Sequence, residues 1–336
     1  MAGRRTNLAL LVLLGAALGT GALAYAVGTG WARWSVVAHG TVGLGIVTLT
    51  PWKSVIARRG IRRARPGSWA SIAFGVLLVM ALAAGLAHGT GLLRSVGGVT
   101  AMQIHVGAAL ASVPFGIWHV LARRVRVRRT DFSRRTLLRS ALLGGASLAS
   151  YGALSGLTWV ARLPGRRRRF TGSYETGSFH PEAMPVTQWL NDAVPLVDPS
   201  AWRLSIRTGG RESARLSLED LDRRAGPIRA TIDCTGGWFA EQIWHGVPVA
   251  ELLPKSTGGR SIVVRSVTGY SRRYPFSDAN RFFVATRVGD QPLSPGHGYP
   301  ARVVAPGRRG FWWVKWLASI EVSDAPWWWQ PPFPLT

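Results

Sequence analysis

The chain has 336 residues, 47% of them hydrophobic, and carries a formal charge of +25 at neutral pH. Residues 1–169 hold 23 Lys and Arg against one acidic residue, Asp131, whereas residues 170–336 hold 18 against 15. The basic excess therefore lies between long apolar runs, as the cytoplasmic loops of a membrane protein do, and no nucleic-acid partner is expected.

Five apolar stretches are long enough to cross a bilayer core, which takes about 20 helical residues. They run from Leu8 to Val27, Trp34 to Thr50, Trp69 to His88, Thr100 to Leu121 and Thr136 to Val160. With the amino terminus inside, Arg4 and Arg5, the six basic residues from Lys53 to Arg65 and the eight from Arg123 to Arg139 share the cytoplasmic side. The other side has Arg33, Arg94, Arg162 and the run from Arg166 to Arg169. Sixteen against seven favours an inside amino terminus and an outside carboxy-terminal domain, although the Arg166 run dissents. Trp31, Trp34, Trp52, Trp69, Trp118 and Trp159 fall near span ends, where an interfacial aromatic belt belongs. Ahead of the fifth span, Ser133-Arg-Arg-Thr-Leu-Leu-Arg139 and the Gly/Ala/Ser-rich helix after it resemble a twin-arginine signal, which exports domains already folded around a cofactor.

Four histidines lie in or at the ends of these spans: His39, His88, His105 and His119. Ionisable residues there are costly and functional by default. His39 and His105 each sit about five residues below an outer span end, roughly 8 Å deep at 1.5 Å per residue. Two imidazoles at equal depth on neighbouring helices can ligate one haem iron from both faces, and such ligation suits electron transfer because no position stays open for substrate. One haem b near the outer face is the expectation, with His88 as the alternative ligand or as part of a quinone or proton site. His119 lies about 21 Å from His105 along the same helix and finds no histidine opposite it, so an interhelical hydrogen bond suits it as well as ligation.

From Phe170 onward the sequence is that of a soluble, sheet-rich domain. Strands are predicted at Trp202 to Arg207, Ile228 to Asp233, Ser261 to Ser266, Phe282 to Thr286, Arg302 to Val304 and Val314 to Val322. Helices are predicted at Ser217 to Arg224 and Pro248 to Leu253. Within this domain Cys234, the single cysteine, stands where the apolar run Ile228 to Asp233 breaks into Thr-Gly-Gly. It cannot form an intramolecular disulfide. A lone cysteine is ordinarily a small buried hydrophobe, but a thiolate at a strand-to-turn position can also be presented to a metal while the strand holds it still.

The blocks Thr231-Ile-Asp-Cys-Thr-Gly-Gly-Trp238, Trp244-His-Gly-Val-Pro-Val-Ala-Glu-Leu-Leu253, His297-Gly-Tyr-Pro-Ala-Arg-Val-Val-Ala-Pro306 and Gly310-Phe-Trp-Trp-Val-Lys-Trp316 occur in that order. Together they resemble the molybdopterin-binding domain of the sulfite oxidase family, over roughly residues 170–324. The branch of the bacterial periplasmic methionine sulfoxide reductase, whose catalytic subunit works with a separate membrane haem protein, is the one they most resemble. The resemblance implies that Cys234 gives its thiolate to a molybdenum held by one pyranopterin dithiolene. It also implies cofactor contacts for Thr171, Tyr174 and Glu175, for His297, and for the basic pair Arg302 and Lys315. Thr171 and His297 each replace an asparagine usual in that branch. The chain's stop at Thr336 leaves no room for the immunoglobulin-like dimerisation domain of eukaryotic sulfite oxidases, so a dimer of that kind is not expected.

The fold class expected is thus a bundle of five transmembrane helices followed by a mixed α+β, sheet-rich molybdopterin domain. The expected domains are a cytochrome b-like four-helix membrane domain (residues 1–130), a signal-like motif with a fifth helix and basic linker (131–169), and an extracytoplasmic oxidoreductase domain (170–336). The expected activity is oxygen-atom transfer with electrons relayed through the membrane haem. Its substrate would be a small-molecule or protein-bound S-oxide or N-oxide, and its electron partner the quinone pool or a membrane carrier. The resemblance leaves oxidation of sulfite or a similar small substrate as the alternative, for which Arg265, Arg272 and Arg273 could form an anion-attracting mouth, and they could equally be solvated strand edges. A non-enzymatic membrane haem sensor is the alternative from another class. The location expected is the bacterial cytoplasmic membrane.

Overall fold

The computed structural model describes residues 2–61, 67–188, 192–255 and 258–334. Arg62, Arg63 and Arg65 of the predicted inner loop lie outside the described residues. The chain divides into two compact units, one of Met1–Tyr25 with Gly30–Gly172 and one of Ala26–Thr29 with Ser173–Thr336.

The first unit is helical. Its five long helices are α1 (Ala2–Ala26), α2 (Ala32–Ile61), α3 (Ser68–Thr90), α4 (Ala101–Ala122) and α5 (Arg134–Val160), each covering one predicted stretch. Three of them are long and apolar enough to cross a membrane, over Gly3–Ala26, Ser68–Thr90 and Ala101–Ala122. The other two are helical throughout but more polar. On α2 the hydroxyls of Thr48 and Thr50 donate back to the carbonyls of Leu44 and Ile46, and the helix runs on past Pro51 into the basic segment. On α5 the first turn is Arg134-Arg135, and glycine and serine recur along its length. Polar backbone ends are handled locally. A short hairpin of β1 (Ser95–Val96) and β2 (Val99–Thr100) turns at Gly97-Gly98, both at positive φ as such a tight turn demands. It delivers Thr100 as the N-cap of α4, in a reciprocal capping box with Gln103.

The second unit is built from two sheets. The strands are β3 (Tyr174–Glu175), β4 (Leu204–Thr208), β5 (Arg211–Leu216), β6 (Gly226–Asp233), β7 (Trp238–Pro248), β8 (Ser261–Ser266), β9 (Ser271–Pro275), β10 (Phe283–Val288), β11 (Gln291–Pro292), β12 (Arg302–Val304) and β13 (Leu317–Ser323). Short helices α6 (Leu218–Asp222) and α7 (Val249–Leu252) sit in the connections, the former capped by a Ser217/Asp220 box. One sheet runs β11-β10-β7-β3, with β6 also on β7 and β12 also on β10; the other runs β5-β4-β13-β8-β9. In the second, β13 is central, parallel to β4 and antiparallel to β8. Its core is aliphatic, with Leu204, Ile206, Ile262, Val264, Leu317 and Ile320 all fully buried.

Strand β7 is the longest and was not among the predicted strands. Its burial alternates, with Trp238, Ala240, Gln242 and Trp244 facing in, as a half-buried strand requires. The polar Gln242 is tolerated inside because its side-chain amide donates to Gly177 O at 2.6 Å. The hairpin of β6 and β7 is regular from Gly226↔Gly246 to Asp233↔Phe239, so the turn it closes carries Cys234 at a fixed place.

Candidate functional site

The β6–β7 turn is tied by its own backbone: Cys234 N donates to Trp238 O at 2.8 Å and Gly237 N to Cys234 O at 3.2 Å. The thiol accepts from Gly236 N at 3.3 Å and is buried, which raises its pKa above the ordinary thiol value. Behind the turn lies a buried ion pair. Arg309 and Asp233 are bonded side chain to side chain at 3% and 4% exposure; Ser173 Oγ donates to Asp233 Oδ1 at 2.7 Å, and Arg309 Nη2 reaches Cys234 O at 3.2 Å. The residue before the thiol and the cysteine's own carbonyl are therefore clamped from one side.

On the other side Cys234 opens into a cleft whose lining includes Thr187, Asp192, Tyr270, His297, Arg302, Lys315 and Trp316. Arg302, on β12, is fully buried between the rings of Trp244 and Trp313, at 5.1 and 5.6 Å from the two centroids. It donates to His297 O at 2.9 Å and Trp313 O at 3.3 Å, and burial pulls its guanidinium down to about 10. Lys315 donates to Thr187 O at 2.8 Å and Gly296 O at 2.6 Å. Burial, and then the charge of Arg302, pull its ammonium down to about 7. Among the described residues neither cation forms an ion pair with a carboxylate. His297 donates from Nε2 to Met184 O at 3.1 Å and accepts at Nδ1 from Ser294 Oγ at 2.8 Å, which uses both ring nitrogens. Burial, followed by the charges of Arg302 and Lys315, holds it down to about 4, so the ring is neutral at neutral pH.

The structure thus gathers four of the sequence-selected residues, Cys234, His297, Arg302 and Lys315, around one cleft. The other three stand outside its lining. Thr171 is buried and belongs to the helical unit; Tyr174 is buried on β3, paired in register with Trp238; Glu175 is exposed and accepts from Ser178 N at 2.8 Å. Of the two readings of the three arginines, the anion mouth does not form. Arg265 is exposed and lies 3.7 Å from Glu321, Arg272 is packed under the Trp312 ring at 4.3 Å, and Arg273 donates to Ser261 Oγ and Ser323 Oγ. The alternation of β9 sends Arg272 and Arg273 to opposite faces, so they cannot serve one mouth. The Asp233–Arg309 clamp escaped the sequence reading, since charged residues 76 positions apart carry no local signal of contact.

The helical unit holds a second constellation. His39 of α2 and His105 of α4 face each other with Nε2 atoms 3.4 Å apart. Each donates its other ring nitrogen to a backbone carbonyl, His39 Nδ1 to Ala17 O at 3.1 Å and His105 Nδ1 to Ala81 O at 2.7 Å. Glycines let the flanking helices close on the rings: a Cβ on Gly21 would lie 3.0 Å from the His39 ring and one on Gly85 2.8 Å from the His105 ring. His88 is buried and bonded to Gly172 O at 2.9 Å, and His119 is bonded to Ser71 Oγ of α3 at 2.9 Å. No group of three or more His, Cys, Asp or Glu suited to a metal occurs among the described residues.

Comparison with known proteins bears on the cleft. Residues 191–329 match the family described as oxidoreductase molybdopterin binding domain. Residues 191–329 are thus an oxidoreductase molybdopterin-binding domain, similar to those of nitrate reductase and sulfite oxidase. Barley (Hordeum vulgare) NADH nitrate reductase is 26% identical over 172 aligned positions, covering 40% of this chain and 19% of that one. Mitochondrial sulfite oxidase of Macaca fascicularis is 28% identical over 168 positions, covering 39% of this chain and 30% of that one. This chain therefore spans less than a third of the length of either relative. A chain of the crystal structure of the sulfane dehydrogenase SoxCD from Paracoccus pantotrophus superposes with a TM-score of 0.36 at 23% identity, covering 39% of this chain and 40% of that one.

Proposed function

We propose that the chain is a membrane-anchored molybdenum oxidoreductase that carries out oxygen-atom transfer outside the cytoplasmic membrane, reducing an S-oxide or N-oxide with electrons relayed through a haem b. The observation that carries the reading is the pairing, in one cleft, of a buried thiol with two cations that form no ion pair with a carboxylate among the described residues. A dithiolene pterin with a phosphate tail is anionic, and Arg302 and Lys315 are the groups that would hold it, while Cys234 would supply the protein thiolate. Bound there, molybdenum would supply two-electron oxygen-atom chemistry.

What this chain's own residues contribute is position. The Asp233–Arg309 clamp fixes the turn that presents the thiol. His297, neutral and bonded at both nitrogens, holds Met184 and Ser294 in place and gives its own carbonyl to Arg302. The indoles of Trp238, Trp313 and Trp316 line the cleft and restrict water, which strengthens every charge interaction within it.

The haem part of the reading is supported by the tautomers of the histidine pair. With each Nδ1–H given to a carbonyl, a neutral ring has only a lone pair on Nε2, and two lone pairs 3.4 Å apart repel unless something positive lies between them. His39 and His105 are the residues that would hold a haem iron, and a carbonyl on the second ring nitrogen is what metal-bound histidines usually have.

The deciding experiment is to purify the chain in detergent, quantify molybdenum and haem, reduce the haem and ask which oxides reoxidise it. Stoichiometric molybdenum with reoxidation by a sulfoxide or amine oxide is expected; haem without molybdenum would favour a sensor instead. For location, a reporter fused after Thr336 should be active only when translocated. Arg134→Lys with Arg135→Lys should strand it inside, because lysine keeps the charge of a simple anchor but not the paired arginines of an export signal. Normal export of that double variant would reject the twin-arginine reading.

A further inference from the structure

The cleft carries one carboxylate, and its placement bears on which substrates can enter. Asp192 lines the cleft with Gln188 and Tyr270, and its Oδ2 accepts from Thr268 Oγ1 at 3.2 Å. Thr268 belongs to the β8–β9 turn, which is closed on itself by Thr268 N donating to Ser266 Oγ at 3.2 Å and tied across by Val267 N donating to Trp316 O at 2.8 Å. The carboxylate is thus fastened to the same turn that is anchored to a wall of the cleft.

The two cations of the cleft, Arg302 and Lys315, are the groups that bind the anionic cofactor in the reading above, and each already donates to backbone carbonyls. The anionic cofactor would offset their charge, and Asp192 already favours the charged form of Lys315. The remaining lining named for this cleft is uncharged apart from Asp192. We infer that Asp192 is a specificity-determining residue, a fixed negative charge that turns oxyanions such as sulfite or nitrate away and admits uncharged or cationic S-oxides and N-oxides. This rests on the proposed oxygen-atom transfer for its biological meaning but not for its measurement. Like charges several ångströms apart in a partly desolvated cleft cost enough to change affinity about five- to tenfold. That is the size of effect a filter of this kind supplies.

The test uses the full chain in detergent, loaded with its cofactor, and the variants Asp192→Asn and Asp192→Glu. Sulfate is the probe, read by quenching of tryptophan fluorescence and by competition with dimethyl sulfoxide. In Asp192→Asn sulfate should bind about five- to tenfold more tightly at low salt, with the gain fading near 0.5 M salt, where the screening length falls to roughly 4 Å. Asp192→Glu should keep the wild-type sulfate affinity, since it keeps the negative charge. Equal sulfate affinity in wild type and Asp192→Asn, or a wild type that handles sulfite or nitrate with kcat/KM at or above that for the sulfoxide, would overturn the inference. If the loaded chain turns over no oxide at all, the proposed activity falls, and the sulfate titration still decides whether Asp192 repels anions.

Discussion

The helical unit turns its large apolar side chains outward, and the sheet-rich unit turns them in. Val12, Leu142 and Val160 are 71%, 73% and 83% exposed, whereas Leu204, Ile206, Trp244 and Ile320 are fully buried. Apolar surface of that extent on long helices suits a lipid solvent, in which every backbone group is satisfied within its own helix. The sheet unit follows the opposite rule, and polar side chains such as Gln242 and the Asp233–Arg309 pair are held inside it by hydrogen bonds. The polar chemistry of the two units differs accordingly: facing imidazoles in one, buried cations around a thiol in the other. Each can be broken alone, and that independence is what the following variants test.

The largest effect is expected at the thiol. Cys234→Ser should lower oxygen-atom transfer by more than about 100-fold, beyond what a change outside the metal's own ligands usually does, while the haem spectrum stays unchanged. Activity near wild type would remove molybdenum ligation from Cys234. The mirror experiment lies in the helices. His39→Ala and His105→Ala should each abolish the low-spin haem bands and leave molybdenum content as it was, whereas His119→Ala, whose partner is Ser71, should keep them. Loss of haem only in the His119 variant would show that the facing pair is not the ligand set.

A step smaller is the clamp behind the thiol. Removing one partner of a buried ion pair costs about 3–5 kcal/mol because the other charge is left without compensation. Asp233→Asn should therefore lower the unfolding temperature of the sheet unit by roughly 10 °C, read by near-ultraviolet circular dichroism, with the haem bands melting as in wild type. Combining it with Arg309→Met should recover part of the loss. If the single variant melts like wild type, the pair is not what holds the Cys234 turn.

How far these features could be read from the sequence depends on where their signal lies. Strand β8 occupies the predicted residues because Ser261 to Ser266 is a β-branched apolar run, and α2 to α5 follow stretches whose composition leaves few alternatives. Strand β7 was missed because its inward row includes Gln242 and its length includes Glu241, His245, Gly246 and Pro248, which dilute a pattern that only burial reveals. The edge strands β5 and β9, Arg-Glu-Ser-Ala-Arg-Leu and Ser-Arg-Arg-Tyr-Pro, have too few apolar residues to declare themselves. The assembly of Cys234, His297, Arg302 and Lys315 was accessible through the order of the sequence blocks. Asp192 and the Asp233–Arg309 clamp were not, because their meaning comes from neighbours far along the chain.

The smallest effect distinguishes the cofactor-free from the loaded sheet unit by pH. Lys315 holds its proton up to about pH 7 in the folded protein but up to about 10.5 when unfolded, so between those values the unfolded state binds more protons. Stability of cofactor-free protein should therefore rise with pH from about 7, with a slope of at most about 1.4 kcal/mol per pH unit. His297, held down to about 4, adds a rise of the same sign between about 4 and 6.5, the ordinary histidine value. Cys234 acts oppositely: burial raises its thiol above the ordinary 9.0, so above that pH the folded state holds the extra proton and its contribution to stability falls. The expected profile for cofactor-free chain is a climb in two steps that levels off above about pH 9, where the rise from Lys315 and the fall from Cys234 offset each other. Anionic cofactor restores the charge on Lys315 and should erase the step above pH 7. Urea unfolding of loaded and cofactor-free chain across pH 6 to 10 measures this directly, and a cofactor-free profile that is flat from 7 to 9, or Lys315→Met without effect on it, would mean that Lys315 is not the strained cation of the cleft.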